Sequence, residues 1–115
     1  MKRGNKRIFG RTHKQRHAFI KGLLTALIEH GKIRTTSARA KTLKSEADRM
    51  VTRAKRGTLA SRRILLRHVG PAAAAKLAKD IAPKFAGRAG GYTRVTRLGR
   101  RMSDGSEIAL VEFVS

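Results

Sequence analysis

The chain has 115 residues, with 28 Lys and Arg against 7 Asp and Glu, a formal net charge of +21. Its length predicts one domain, and an apolar content of 40% predicts a core rather than a disordered chain. The absence of cysteine excludes disulfides and thiolate metal sites and fits a reducing, cytoplasmic setting, the apolar stretches are too short to span a bilayer, and no secretory apolar region follows the basic start, so export is not expected.

Self-repulsion at this charge density opposes compaction, and a polyanionic partner relieves it. Arg outnumbers Lys by 17 to 11. The guanidinium fork matches phosphate oxygens bidentately, whereas ammonium is a point charge, so the ratio points to phosphate docking. Met1 to His17 holds seven Lys or Arg and no acid, with only Ile8 and Phe9 as large apolar residues. Residues 1–14 therefore read as an extended basic arm that orders on a partner, and residues 15–115 as one globular domain. A mitochondrial transit peptide is also Arg-rich and acid-poor, but this segment lacks serine richness and a clear apolar face.

Residues 15–30 turn helical: Phe19, Ile20, Leu23, Leu24, Leu27 and Ile28 recur at three- and four-residue steps, with Lys21, Thr25 and Glu29 outside the apolar arc. Gly31 stands where a left-handed residue would end that helix. Lys32 to Thr36 suits a short strand with Ile33 inward and Lys32 and Arg34 outward, and Thr36 or Ser37 offers an N-cap oxygen for the next helix. That helix, residues 38–55, places Ala40, Leu43, Ala47, Met50 and Ala54 on one face and Lys41, Arg49, Arg53 and Arg56 on the other, with Glu46 and Asp48 for local pairing. Residues 59–69 form a shorter helix with Arg62, Arg63 and Arg67, broken by Gly70-Pro71; an Ala-rich helix follows over 72–82 until Pro83 redirects the chain and Phe85 returns to the core. The tail reads as a hairpin, residues 92–101 and 107–114, turning at Ser103-Asp104-Gly105-Ser106. Val95 and Leu98 lie three apart, and a bulge at Gly99 would realign them.

No reaction centre emerges from the sequence. His13 and His17 have a helical metal spacing, but no carboxylate or Cys lies near them in sequence, and their neighbours are cationic. Glu46 and Asp48, two apart, point to different sides of a helix, so a general acid/base pair is not expected. No Walker loop, nucleophile elbow or His-Glu-x-x-His is present. One Tyr and four Phe are too few and wrongly spaced for a stacking sheet that reads single strands. Backbone and shape recognition of a folded nucleic acid remains. In "GRAGGYTRVTRLGRR", Gly87 to Arg101, five arginines stand without an acid. There Gly90-Gly91 allows a tight bend or a close main-chain approach to phosphate. The alternative is a helix-to-strand turn followed by an edge strand whose charges deter aggregation.

Arg16-His17-Ala18, Ile33-Arg34-Thr35-Thr36, Ala38-Arg39-Ala40-Lys41 and Arg88-Ala89-Gly90-Gly91-Tyr92-Thr93-Arg94 give the chain a specific likeness. It resembles the bacterial family of large-subunit ribosomal protein seventeen over nearly its whole length, to the closing Ala109-Leu110-Val111-Glu112-Phe113-Val114. It departs at the hairpin tip, Met102 to Ile108, where members carry a Gly-Asp-Ala-Ala-Pro-Met-like run. The resemblance implies an α+β fold, about four helices on a small mixed sheet of three strands. It also implies binding to large-subunit rRNA on the solvent side towards the exit-tunnel end, beside neighbouring ribosomal proteins, with no catalysis, cofactor, metal, membrane or small-molecule substrate.

The residues expected to meet rRNA fall in three groups. The arm contributes Lys2, Arg3, Lys6, Arg7, Arg11, Lys14 and Arg16. The first strand and second helix contribute Arg34, Arg39, Lys41, Arg49 and Arg53. The Gly-rich segment contributes Arg88, Gly90, Gly91, Tyr92, Arg94, Arg97, Arg100 and Arg101. An architectural DNA-binding protein is the alternative from another class; it would share the charge but more often carries an intercalating apolar wedge. An RNA-processing enzyme and a membrane-surface protein also compete, distinguishable by turnover of a purified RNA and by liposome binding.

Overall fold

The computed structural model describes residues 13–114, with side chains from His17 onward. The expected arm lies outside the described residues except for its last two positions. These already belong to the first helix, α1, His13–His30.

Leu24, Leu27 and Ile28 of α1 are buried, with Ile20 and Leu23 packed at the margin of the core. The helix stops at Gly31, whose φ of 81° only glycine adopts freely and whose N–H donates to the Leu27 carbonyl at 2.7 Å. The Gly31 carbonyl then accepts from Phe113 N–H at 3.2 Å, which starts β1, Lys32–Thr36, against the last strand. Ile33 packs on the core while Lys32 and Arg34 are exposed, as the alternation requires.

Thr36 caps the longest helix, α2, Ser37–Arg56: its hydroxyl accepts from Arg39 N–H at 3.4 Å. Gly57, at φ 67°, ends it. The buried face is Ala40, Leu43, Ala47, Met50, Val51 and Ala54, the expected stripe widened by Val51. A second threonine cap, Thr58, opens α3, Leu59–His68, by accepting from Ser61 N–H at 3.1 Å. Pro71 occupies the first turn of α4, Pro71–Lys76, where a missing N–H costs nothing.

The Ala-rich helix expected over 72–82 is not α-helical throughout. After Lys76 the winding loosens to a π turn, Leu77–Ile81, with Ala82 N–H donating five residues back to the Leu77 carbonyl, and then tightens to a 3₁₀ turn, Ala82–Phe85. Pro83 explains the change: it has no N–H, and its ring crowds the carbonyl of Lys79 in a regular helix. Phe85 is buried, as expected.

Two further strands complete the sheet: β2, Thr93–Arg100, and β3, Glu107–Phe113, in the order β1-β3-β2. Both pairings are antiparallel, so the sheet is not mixed. β1 and β2 run the same way, but β3 stands between them and they never pair. The α+β class holds. The register of β2 on β3 shifts between Arg97 and Gly99, where Gly99 has φ 109°, so the bulge is real. It does not bring Leu98 to the core, however, and that side chain stays 48% exposed. One contiguous cluster of buried residues, joined at its margin by Ile33 and Val95, draws on every helix and strand.

Candidate nucleic-acid interface

α2 carries cations on two faces with different fates. Lys41, Arg49 and Arg56 are exposed and Arg53 is half-buried. Arg49 meets Glu46 at 3.4 Å in an exposed pair, a contact of small worth that leaves most of the guanidinium open. Lys44 and Lys55 lie eleven residues apart, about three helical turns, and so share a face. That face looks at β2. Lys44 Nζ donates to the Thr93 carbonyl at 2.9 Å and to Asp48 Oδ2 at 3.1 Å, while Thr93 Oγ1 donates to Asp48 Oδ1 at 3.0 Å. Lys55 Nζ donates to the Arg88 carbonyl and, at 3.1 Å, to the Tyr92 hydroxyl. These two half-buried lysines bond back to the body and fix the entry to β2.

Tyr92, expected among the rRNA contacts, has its side chain in the core. It is 1% exposed, its ring lies 5.2 Å from Phe85 in a tilted arrangement, and its hydroxyl donates to the Arg88 carbonyl at 3.1 Å. The Lys55 hydrogen bond lowers its pKa from the ordinary 10.0. Tyr92 directly precedes β2 on the core side and anchors the loop before it, so no base can reach its ring.

That loop is exposed from Ala86 to Gly91. Gly91 has φ 63°, and a Cβ at Gly90 or Gly91 would meet nothing within 4 Å. Backbone conformation, not close packing, is what Gly91 supplies, so the bend reading of the double glycine is realised at one of its two residues. Arg88 Nε donates to the Gly90 carbonyl at 3.2 Å.

The solvent-side face of the sheet aligns Lys32, Glu112 and Arg94 in one row and Arg34, Leu110 and Thr96 in the next. Arg94 donates to Glu112 Oε1 through Nε at 3.2 Å and Nη2 at 3.0 Å. Arg97 and Arg100 are exposed, and Arg100 Nη1 reaches the Gly105 carbonyl at 3.0 Å. At the hairpin tip Arg101 grips Asp104 with two bonds, 3.0 and 2.8 Å, and Ser106 N–H adds a third contact to the same carboxylate. These hydrogen bonds hold the Asp104 carboxyl well below the usual carboxylate range and raise the Arg101 pKa.

A groove of about 560 Å³ opens at the bulged end of the sheet. It gathers four expected contacts, Arg34, Arg39, Arg100 and Arg101, around Leu23, Leu98 and Ile108. The Arg39 guanidinium lies 4.7 Å over the Phe19 ring. The other expected residues are dispersed: Lys41, Arg49 and Arg53 on α2, Arg88 and Gly90 in the loop, Arg94 and Arg97 along β2. Lys2, Arg3, Lys6, Arg7 and Arg11 lie outside the described residues, and Lys14 and Arg16 fall in α1 without described side chains.

Among the described residues, four ion pairs engage Lys44, Arg49, Arg94 and Arg101. Most of the exposed arginines therefore have no acid partner there. Arg62, Arg63 and Arg67 of α3, not among the expected contacts, are exposed as well. Sequence reasoning missed the bonds that Lys44 and Lys55 make to the body, for which the eleven-residue spacing was the available signal.

Among the described residues no group of three or more His, Cys, Asp or Glu could hold a metal ion, and no helix is long and apolar enough to cross a membrane. The molecule is thus a small basic α+β protein whose exposed guanidinium groups are set to donate to anionic oxygens. The family model for ribosomal protein L17 matches residues 19–114. A Clostridium botulinum (strain Loch Maree / Type A3) protein named large ribosomal subunit protein bL17 is 46% identical over 109 residues, 94% of this chain and 96% of that one. Its namesake from Methylacidiphilum infernorum (isolate V4) is 45% identical over 105 residues, 90% of this chain and 80% of that one. The chain belongs to the ribosomal protein L17 family.

Proposed function

We propose that this protein is a structural component of the large ribosomal subunit in the cytoplasm, where it binds folded rRNA through phosphate contacts and stabilises its bends without catalysing a reaction. The observation that carries the proposal is the excess of exposed arginines over acid partners, in a chain whose relatives are named large-subunit proteins. Guanidinium forks placed on α2, on the outer sheet face and at the hairpin meet phosphates on several sides of the body. The basic arm, residues 1–14, reaches between rRNA helices, where counterions would otherwise gather. The remainder of the chain acts as the globular domain, flanked by neighbouring large-subunit proteins.

Sedimentation of tagged protein from cell lysate in high magnesium tests the assignment; co-migration with large subunits is expected, and migration with free protein would overturn it. Competition between folded large-subunit rRNA and duplex DNA tests the partner. Equal preference would favour the architectural DNA-binding alternative.

A further inference from the structure

We infer that the groove at the bulged end of the sheet is a seat for a single unstacked RNA nucleotide, with its base against Leu23, Leu98 and Ile108 and its flanking phosphates on Arg34, Arg39 and Arg100. The inference deepens the rRNA-binding proposal and rests on it.

The groove is assembled from five elements: α1 supplies Leu23, β1 Arg34, α2 Arg39, β2 Leu98 and Arg100, and β3 Ile108. Its volume lies within the roughly 300–1,000 Å³ of ligand clefts. Four arginines line it and none of its lining residues is acidic. Charge of one sign gathered round an apolar centre matches a nucleotide, whose flat base lies between two phosphates. A paired stem offers phosphates but keeps its bases stacked inside, and an acidic peptide offers carboxylates without a flat apolar group between them.

The bulge explains why the apolar centre exists. The register shift between Arg97 and Gly99 inserts Leu98 as the extra residue and leaves it 48% exposed beside Ile108. An unbulged strand would have no leucine at this position. Three of the four arginines are also held before any ligand arrives. Arg100 is tied to the Gly105 carbonyl, Arg101 to Asp104, and Arg39 lies over Phe19. Each fixed side chain has less rotamer freedom to lose on binding. Unstacked RNA bases commonly lie on aromatic rings or guanidinium planes, which is how proteins select loops and bulges over duplex RNA, and flipped bases also lie between apolar side chains.

Two synthetic hairpins with one stem sequence test the seat: one fully paired, one with a single bulged 2-aminopurine. Binding of the full-length protein is measured by anisotropy, and the bulged base is followed by its own fluorescence. Wild type is expected to bind the bulged hairpin about tenfold tighter, the scale of one stacked base. L98S, at an exposed position, is expected to lose that preference and the fluorescence change while keeping its affinity for the paired hairpin. R49A, outside the groove, weakens both hairpins and keeps the preference. Equal binding of the two hairpins by wild type, or a preference that survives in L98S, overturns the seat. A glutamate-rich peptide whose binding is lost in L98S, with hairpin binding unchanged, assigns the groove to a protein neighbour and overturns it too. Wild type that binds neither hairpin at low salt overturns the rRNA reading, and the seat with it.

Discussion

Thr93 shows how a single hydroxyl joins two elements. It is 4% exposed at the start of β2, and it donates to Asp48 while its carbonyl accepts from Lys44, both on α2. Thr93→Val keeps the shape and removes the donor, leaving Asp48 Oδ1 one bond short. The Asp48 side chain is still 26% exposed, so water replaces part of the loss. The expected cost is about 1 kcal/mol, the low end for an unsatisfied group, read as a lower urea midpoint at an unchanged slope. His68 gives a second prediction. Burial lowers its pKa from the ordinary 6.5, and Arg53, His17 and Arg67 add to the effect while Glu46 opposes it. A histidine whose folded pKa is depressed binds fewer protons folded than unfolded, so its stabilising share is present above pH 6.5 and is lost as pH falls below it. Between about pH 7.5 and about pH 5.5 the Tm of the RNA-free protein should fall further in wild type than in His68→Gln. Parallel profiles for the two would refute this role.

At the scale of the element, α2 carries both the packing and part of the proposed interface, and its cations separate by face. Lys41→Gln and Arg49→Gln lie on the exposed face. Each is expected to reduce the salt slope of RNA binding by about one and to leave stability within about 0.5 kcal/mol. Lys55→Gln should do the reverse: a lower Tm, because the Arg88 carbonyl loses one of its two donors and the Tyr92 hydroxyl loses the lysine bond, and an unchanged salt slope. Thermal melts and binding isotherms at several salt concentrations separate the two classes. The same helix marks how far sequence reasoning reaches. Its buried stripe was legible because apolar residues repeat at the helical period, and only Val51 was missed. The bonds that Lys44 and Lys55 make to the body were not legible, because the carbonyls they meet lie on residues 33 to 49 positions away. The burial of Tyr92 was not legible for a related reason: the Gly-rich loop before it is exposed, and its ring packs on Phe85, seven residues back. The bulge was legible from the Gly99 spacing, but the strand order was not, since short strands of similar composition do not fix which of them lies in the centre. Of the interface, the charge was legible and its grouping was not; Arg34, Arg39 and Arg100 meet through three different elements.

For the whole molecule, salt should act with opposite signs on folding and on binding. A net charge of +21 on 115 residues makes the folded body self-repelling. Among the described residues the four ion pairs leave every participating cation at least 38% exposed, so added salt removes little attraction. It screens much more repulsion, as the Debye length shrinks from about 30 Å at 0.01 M to about 10 Å at 0.1 M. The Tm of the RNA-free protein is therefore expected to rise with sodium chloride across that range. Binding runs the other way. If about eight phosphates are neutralised, affinity for folded rRNA should fall by roughly 10³–10⁵ between 50 and 200 mM salt, because released counterions drive the association. A body whose arginines were satisfied by internal acids would show the converse pair, a Tm that falls as its ion pairs are screened and an affinity nearly independent of salt. Melting curves and filter-binding titrations over one set of salt concentrations decide between the two, since each alternative fixes both signs.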